Sequence, residues 1–336
     1  MPALFLHIYL IMKGIFRSLK TAALFVGSVV GAGFATGQEV QLFFGKEGVT
    51  SLVIASLFMA FCAFVFMDMG AKRVIGNPKV AVATDTVITL SSFAVYAAMI
   101  AAAEGVLEGL TGYAGLSALL AVAVMFLAGK RIGWVSGLNL IAVPCMAVII
   151  ILIGARTGSH QGGSAIHPVR ALAYGGMNLL FSGALMVKEG ETMRLSERVA
   201  ASVIAGGLIL PMLFFMWRCV AGNPPAEMPF LEVASREGLG TPASFLLLLA
   251  ILTTMASCAY LVNERVASLA GDRTFAAPLV TLLGILTASA GFAPIVRTTY
   301  PIVSYLGLAA TLIALFIVLR NTFSLLRKRK RRVSAP

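Results

Sequence analysis

The densest set of residues with chemical potential is one stretch near the start of the chain. It reads Gly27-Ser28-Val29-Val30-Gly31-Ala32-Gly33-Phe34-Ala35-Thr36-Gly37-Gln38-Glu39. Four glycines fall within eleven residues, and each weakens a helix by about 1 kcal/mol relative to alanine. Glycine also leaves helical geometry without a Cβ penalty. Backbone released inside hydrocarbon must find partners, so an unwound stretch survives only where it lines a cavity or binds something. The carbonyl-rich end of an interrupted helix suits a cation, and its amide-rich end suits an anionic group such as a carboxylate. The same glycines have a second explanation. Gly27/Gly31 and Gly33/Gly37 are spaced small-xxx-small, which lets helices approach closely without unwinding. Gln38 and Glu39 follow directly. At membrane depth they are candidates for gating or for supporting a site, and near the outer surface Glu39 is a solvated carboxylate. A dinucleotide-binding fingerprint is excluded, because the spacing is GxGxxxG and no strand–helix–strand context surrounds it.

Three other segments are candidates to complete a site. Tyr174-Gly175-Gly176-Met177-Asn178-Leu179-Leu180-Phe181-Ser182-Gly183-Ala184 is a second glycine-interrupted apolar run. Interruptions at corresponding places in two halves point to a transporter site at the interface of inverted repeats. The competing reading is packing glycine with a serine bonded to its own helix. Ala250-Ile251-Leu252-Thr253-Thr254-Met255-Ala256-Ser257 offers adjacent hydroxyls and carbonyls, hard donors without net charge, as a monovalent cation needs. Ser91, Ser92 and Tyr96 form a third polar group, and a buried Tyr96 hydroxyl needs a partner from substrate or a neighbouring helix. His7, His160 and His167 fall outside the apolar runs, and Cys62, Cys145, Cys219 and Cys258 fall inside them without metal-ligand spacing. The cysteines read as small core residues. Asp68, Glu104, Glu108 and Glu189 sit at the ends of runs, where solvation accounts for them.

The elements that position these groups follow from composition. Of 336 residues, 59% are hydrophobic and only 12% charged, and the mean hydropathy is +0.94. A soluble domain has about twice that charge, so the chain reads as an all-α polytopic membrane protein embedded in a lipid bilayer. A soluble enzyme, a disordered chain, a disulfide scaffold and a β-barrel are excluded. Ten spans are expected, at roughly 20–43, 50–70, 84–106, 111–128, 134–154, 170–188, 199–220, 243–262, 276–293 and 300–320. They divide the transmembrane domain 20–320 into repeats at about 20–154 and 170–320, between a cytoplasmic segment 1–19 and a basic tail 321–336. Of the 26 basic residues, 20 fall on one side of this arrangement and six on the other (Lys46, Arg156, Arg170, Arg218, Arg236, Arg297). That bias puts both termini in the cytoplasm. It also accounts for the net charge of +12 without a nucleic-acid partner. The run from Arg327 to Arg332 anchors the last span or meets anionic head groups. Residues 1–12 are apolar but too short to span, and read as an interfacial helix or as an extension ahead of Met12.

The Gly27-to-Glu39 motif resembles the opening motif of the YkvI-type amino acid permeases, a bacterial branch of the amino acid–polyamine–organocation superfamily. The resemblance implies the LeuT-like fold: five plus five inverted helices, with the first and sixth broken around the substrate. It implies a bacterial inner-membrane protein that binds substrate through Ser28, Gly31, Ala32, Gly33, Tyr96, Phe181, Ser182 and Gly183. By the same resemblance a sodium ion is held by Gly27, Val30, Ala250, Thr253 and Thr254, and no other cofactor is implied. Proton-coupled relatives place a lysine from span five in the ion's position; span five here has none.

The expected function is secondary transport of a small solute, an amino acid by resemblance, with sodium coupling. Proton-coupled or exchange transport of another solute, and a non-transporting scaffold or sensor, are the alternatives. An enzyme would need a nucleophile–base pair or metal cluster at membrane depth, which the sequence does not offer.

Overall fold

Apolar segments in a membrane must satisfy every backbone N–H and C=O internally, and this chain does so with helices. A computed structural model describes residues 2–73, 78–128, 131–157, 163–224, 226 and 228–333. Lys130, His160 and the last three tail residues, 334–336, lie outside the described residues. Thirteen helices are present among those described. In the first half these are α1 (Pro2–Val29), α2 (Ala32–Ala35), α3 (Gln38–Phe44), α4 (Val49–Ala71), α5 (Pro78–Thr111), α6 (Leu116–Ala128) and α7 (Ile132–Thr157). In the second they are α8 (Pro168–Gly190), α9 (Leu195–Val220), α10 (Pro229–Arg236), α11 (Gly240–Ala270), α12 (Arg273–Ala288) and α13 (Phe292–Val333).

Helices α4, α7, α9, α11 and the Val82–Thr111 part of α5 are long and apolar enough to cross a membrane by length and composition. The apolar window of α11 is 72% buried, against 39–56% for the others, so α11 is the innermost of these helices. Large apolar side chains such as Leu57, Phe61, Leu119, Phe126, Ile141 and Leu152 face outward, as a lipid-covered surface requires. Residues 2–12 do not form a separate segment but continue directly into α1.

The first span is interrupted and the sixth is not. Helix α8 runs unbroken from Pro168 to Gly190, so the second break expected at Tyr174–Ala184 is absent. Its glycines serve close packing instead. A Cβ on Gly176 would lie 2.6 Å from Leu308 Cα, and one on Gly307 would lie 2.1 Å from the Gly176 carbonyl oxygen, so α8 and α13 meet backbone to backbone. Gly70 and Gly190 do the same for α4 and α8: their Cβ atoms would fall 1.9 Å from Val187 O and 2.1 Å from Met67 O. The polar side chains of α8 bond within the helix, Asn178 Nδ2 donating to Tyr174 O at 3.0 Å and Ser182 Oγ to Asn178 O at 2.7 Å.

Several charges at helix ends are not left to solvent. Asp68 is buried and pairs with Arg198 Nη2 at 3.2 Å and with Lys72 Nζ at 2.5 Å. Glu104 accepts the Gly115 N–H at 2.5 Å and the Ser117 N–H at 3.3 Å, closing the turn into α6. Glu189 accepts from Thr21 Oγ1 at 3.4 Å. Of the cysteines, Cys62, Cys219 and Cys258 are core residues, whereas Cys145 is exposed.

On the opposite side of the molecule, Glu47 is fully buried in the loop between α3 and α4. It accepts from Ser51 Oγ at 3.1 Å and from the His167 N–H at 3.0 Å, and His167 Nδ1 lies 2.8 Å away. Arg170 adds an ion pair at 3.6 Å. Burial alone pushes the Glu47 carboxyl up, but the hydrogen bonds from His167 and Ser51, with the His167 charge, outweigh it and hold the carboxyl below its usual range.

Two measurements check these anchors. Asp68→Ala leaves Arg198 buried without its carboxylate and is expected to cost about 3–5 kcal/mol. Arg198→Ala costs less, because Asp68 keeps Lys72; thermal unfolding of purified protein should rank the two in that order. Because the folded pKa of Glu47 is lowered, its contribution is present above the ordinary value of about 4.3 and lost as pH falls through the folded value. Glu47→Gln should therefore lower stability at pH 7 by about 1.5–3 kcal/mol, and the gap to wild type should close on acidification.

Candidate functional site

Helix α1 ends at Val29 and α2 begins at Ala32, leaving Val30 and Gly31 outside helical geometry. The Gly31 N–H turns to Val29 O at 2.9 Å instead of Gly27 O. The next backbone bonds run from Ala35 N to Gly31 O and from Thr36 N to Ala32 O, both 2.8 Å. The carbonyls of Gly27 and Val30 are thereby released from the helical ladder.

Two neighbouring helices close on this break. From α11, Thr254 Oγ1 stands 3.0 Å from where a Gly31 Cβ would be. From α7, Asn139 Oδ1 stands 1.6 Å from where a Gly27 Cβ would be, so no larger residue fits at 27 without moving it. Both oxygens are buried and lack a hydrogen-bond partner. Asn139 Nδ2 donates one N–H to Val135 O at 2.7 Å, which fixes the amide with Oδ1 toward Gly27. Thr253 Oγ1 and Ala250 O are 3.0 Å apart on the same stretch of α11, both fully buried. An orphaned buried polar atom is costly. At the break itself stand Thr254 Oγ1 and Asn139 Oδ1, neutral oxygens of the type that a hard monovalent cation takes as ligands.

Beside the break lies a cavity of about 30 Å³, room for a water or two. Its polar lining is Ser28, Glu39, Asn178 and Thr254, with the backbone of Gly31 and Ala32; Val95, Met99, Met177 and Phe181 supply apolar walls. Ser28 Oγ donates to Phe25 O at 2.8 Å within its own helix. Gly33 lies directly under the Glu39 carboxylate, whose Oε1 is 2.0 Å from a built Gly33 Cβ.

The other expected substrate residues lie elsewhere. Tyr96 is fully buried but turned away: its hydroxyl donates to Ala121 O on α6 at 3.3 Å and its ring packs on Gly284 of α12. The cavity is met instead by Val95 and Met99, on the adjacent face of α5. Ser182 is bonded inside α8. Gly183 packs on Phe66 and borders a separate cavity of about 310 Å³ between α4, α5, α8 and α13. Met177, Asn178 and Asn139 were not singled out from the sequence. Asparagines with helical spacing to backbone acceptors carry no signal until the facing helix is known.

The arm that follows the break is held by a turn and a clamp. Gly37 is left-handed at φ +80°, a region that costs other residues about 1–2 kcal/mol, and a Cβ there would strike Val220 Cγ1 at 2.6 Å. This turn redirects α3 so that Glu39, only 6% exposed, reaches back to the break. The Phe230 N–H of α10 donates to Thr36 O at 2.9 Å. Gln41 Nε2 donates to Val220 O at 3.2 Å and Asn223 O at 3.0 Å, and Trp217 Nε1 to Phe44 O at 2.9 Å. Gln38 stacks its N–H on Thr36 Oγ1 at 3.3 Å, within the clamp rather than in the cavity lining.

No family model matches the chain. It is similar to two uncharacterised proteins of Bacillus subtilis (strain 168). One is YyaD, 25% identical over 322 residues, covering 86% of this chain and 94% of YyaD. The other is the membrane protein YkvI, 21% identical over 332 residues, covering 86% and 93%. Among solved structures it resembles MhsT in complex with L-phenylalanine, with a TM-score of 0.67 and 18% identity over 90% of this chain and 88% of MhsT. It also resembles Mhp1, a nucleobase-cation-symport-1 family transporter, with a TM-score of 0.62 and 12% identity over 90% and 77%. The chain is thus a multi-pass membrane protein with the fold of MhsT and Mhp1, and its sequence is similar to those of YkvI and YyaD along most of its length.

Proposed function

We propose that this protein is a sodium-coupled secondary transporter that carries a small amino-group-bearing solute across the bacterial cytoplasmic membrane. The amino acid class is suggested by the sequence motif and by the phenylalanine bound to the neighbour MhsT. The observation that carries the reading is a pair of unpartnered buried oxygens, Thr254 Oγ1 facing Gly31 and Asn139 Oδ1 facing Gly27, at an interrupted helix beside a small cavity.

In this reading the Gly27, Val30 and Ala250 carbonyls with the Thr253, Thr254 and Asn139 side chains would hold sodium. The ion would supply a positive charge that joins α1 to α7 and α11. Helix α7 brings an uncharged amide to the break, and no lysine is present in it, which favours an exogenous cation over an internal ammonium. The neighbour Mhp1 is named as a cation symporter, in keeping with this coupling. Ser28, the Gly31 and Ala32 backbone, Asn178 and Phe181 would contact the solute. The cavity has room for little more than water, so in this reading it widens to admit the solute. Transport then follows from unequal affinity of solute and ion for the two states. Both termini lie in the cytoplasm by the charge bias of the loops.

The test is thermal stability of the purified protein in sodium and in potassium. A ligand that binds the folded state raises stability according to its concentration over its Kd. Sodium is expected to raise the melting temperature, and Thr254→Val, which keeps the shape and removes the hydroxyl, should weaken the apparent sodium affinity about tenfold or more. An unaltered sodium response in Thr254→Val would remove the ion site, and stabilisation by solute that ignores sodium would move the coupling to protons or exchange.

A further inference from the structure

We propose that the cavity of about 310 Å³ between α4, α5, α8 and α13 is a second solute site, through which a zwitterionic amino acid leaves the break, and that Ser92 and Thr311 stand at the passage into it. The inference rests on the transporter reading above and extends it from the site to the route.

This second cavity is the one of ligand size. The cavity beside the break has room for a water or two, whereas ligand pockets begin at about 300 Å³. Small residues leave the space. Ala184 on α8 and Ala310 and Ala314 on α13 are in its walls, just past the point where the two helices touch at Gly176 and Gly307.

The two cavities lie along the same faces of the same helices. On α5, Val95 and Met99 line the first, and Asp85 and Ile88 line the second. Steps of three and four residues keep them on one stripe. On α13, Val303 lines the first and Thr311 the second, and on α8 the adjacent Phe181 and Leu180 line one cavity each. Helix α5 packs chiefly on α11 and only lightly on α8, so parting the seam between α5 and α8 disturbs little packing.

Two hydroxyls at this junction lack partners. Ser92 falls on the α5 stripe between Ile88 and Val95. Ser92 Oγ and Thr311 Oγ1 are buried and accept or donate no hydrogen bond, their residues being 0% and 1% exposed. Serine and threonine in helices ordinarily bond back to the preceding turn, as Thr86, Thr89 and Thr281 do here. An unpaired buried hydroxyl is costly. Because a hydroxyl both donates and accepts, this pair serves either charged group of an amino acid in transit. At the far end of the cavity Asp85 pairs with Arg265 of α11 at 3.6 Å. Both side chains are partly exposed, where such a pair holds weakly, and together they offer one group of each sign to a zwitterion.

The test uses the full-length protein in proteoliposomes, with labelled L-phenylalanine and L-leucine as probes. Wild type is expected to take up at least one of them on a sodium gradient. Ala314→Phe, which fills the second cavity, should cut that uptake tenfold or more, while the sodium-induced rise in melting temperature persists and reports a folded protein with its ion site. Labelling tests the passage without uptake. Ser92→Cys and Thr311→Cys should react with a small water-soluble methanethiosulfonate at least ten times faster than Leu119→Cys on the outward surface, the modified peptide being identified by mass spectrometry. Undiminished uptake in Ala314→Phe would overturn the proposal. So would cysteines at 92 and 311 no more reactive than Leu119→Cys, the result expected if lipid chains fill the cavity. Wild type that carries neither probe while both cysteines react would defeat the amino acid transport reading and uphold the passage between the cavities.

Discussion

Backbone released from a helix within a membrane protein can be satisfied only by protein, bound ligand or enclosed water. The interruption at Val30 and Gly31 imposes that requirement on everything near it. The helical donors of the Gly27 and Val30 carbonyls are gone, and α7 and α11 come close there with polar groups of their own, Asn139 and Thr254. Their approach is so near that neither Gly27 nor Gly31 has comfortable room for a Cβ. The same residue type therefore opens the helix and admits the neighbours that line the opening. The two explanations that compete in the sequence, breaking and packing, operate together at this point.

The interrupted segment is tied to one neighbour at both ends. At one end, Ser18 Oγ donates to Glu197 O at 3.1 Å and Arg17 Nη1 to Thr192 O at 2.7 Å, at the start of α9. At the other end, Gln41 and Phe44 are bonded to Val220 and Trp217 at the end of α9. These anchors are separated by the length of a 26-residue helix, about 39 Å at 1.5 Å per residue, roughly the thickness of a bilayer. Between them the α1–α3 chain has its weakest backbone. In the proposed cycle, opening to either side requires release of the tether on that side alone, and the break lets one arm move without dragging the other.

What was legible in the sequence follows from how local each signal is. Apolar runs of span length and the interruption of span one depend on residues within one turn of each other, and both are present. The sixth span reads the same way locally, yet α8 is intact, because Gly175, Gly176 and Gly183 are answered by Phe58, Leu308 and Phe66 from other helices. No pattern within the span reports those partners. Asp68 looked like a solvated span end and is instead a buried ion pair with Arg198, 130 positions away. Glu39 is conspicuous in the sequence, but its destination depends on the left-handed turn at Gly37. Helix α10 was hidden in a loop because eight residues carry too little periodicity to distinguish it.

The intact α8 changes how the second half of the chain can contribute to recognition. A broken helix offers backbone, which is chemically the same whatever the residue; a continuous helix offers only side chains. At this cavity the first half brings the Gly31 and Ala32 backbone together with Glu39, while α8 brings Met177, Asn178 and Phe181 and α11 brings Thr254. On the second-half wall of the proposed site, selectivity would rest on a few replaceable side chains set on rigid helices. The first-half wall is shaped by backbone and by a carboxylate that reaches the break because residue 33 is glycine and residue 37 is left-handed. In the proposed transporter, a change in the size of the bound body would need only one substitution among Met177, Phe181 or Met99, whereas a change on the first-half wall would have to alter Glu39 together with the glycine that makes room for it.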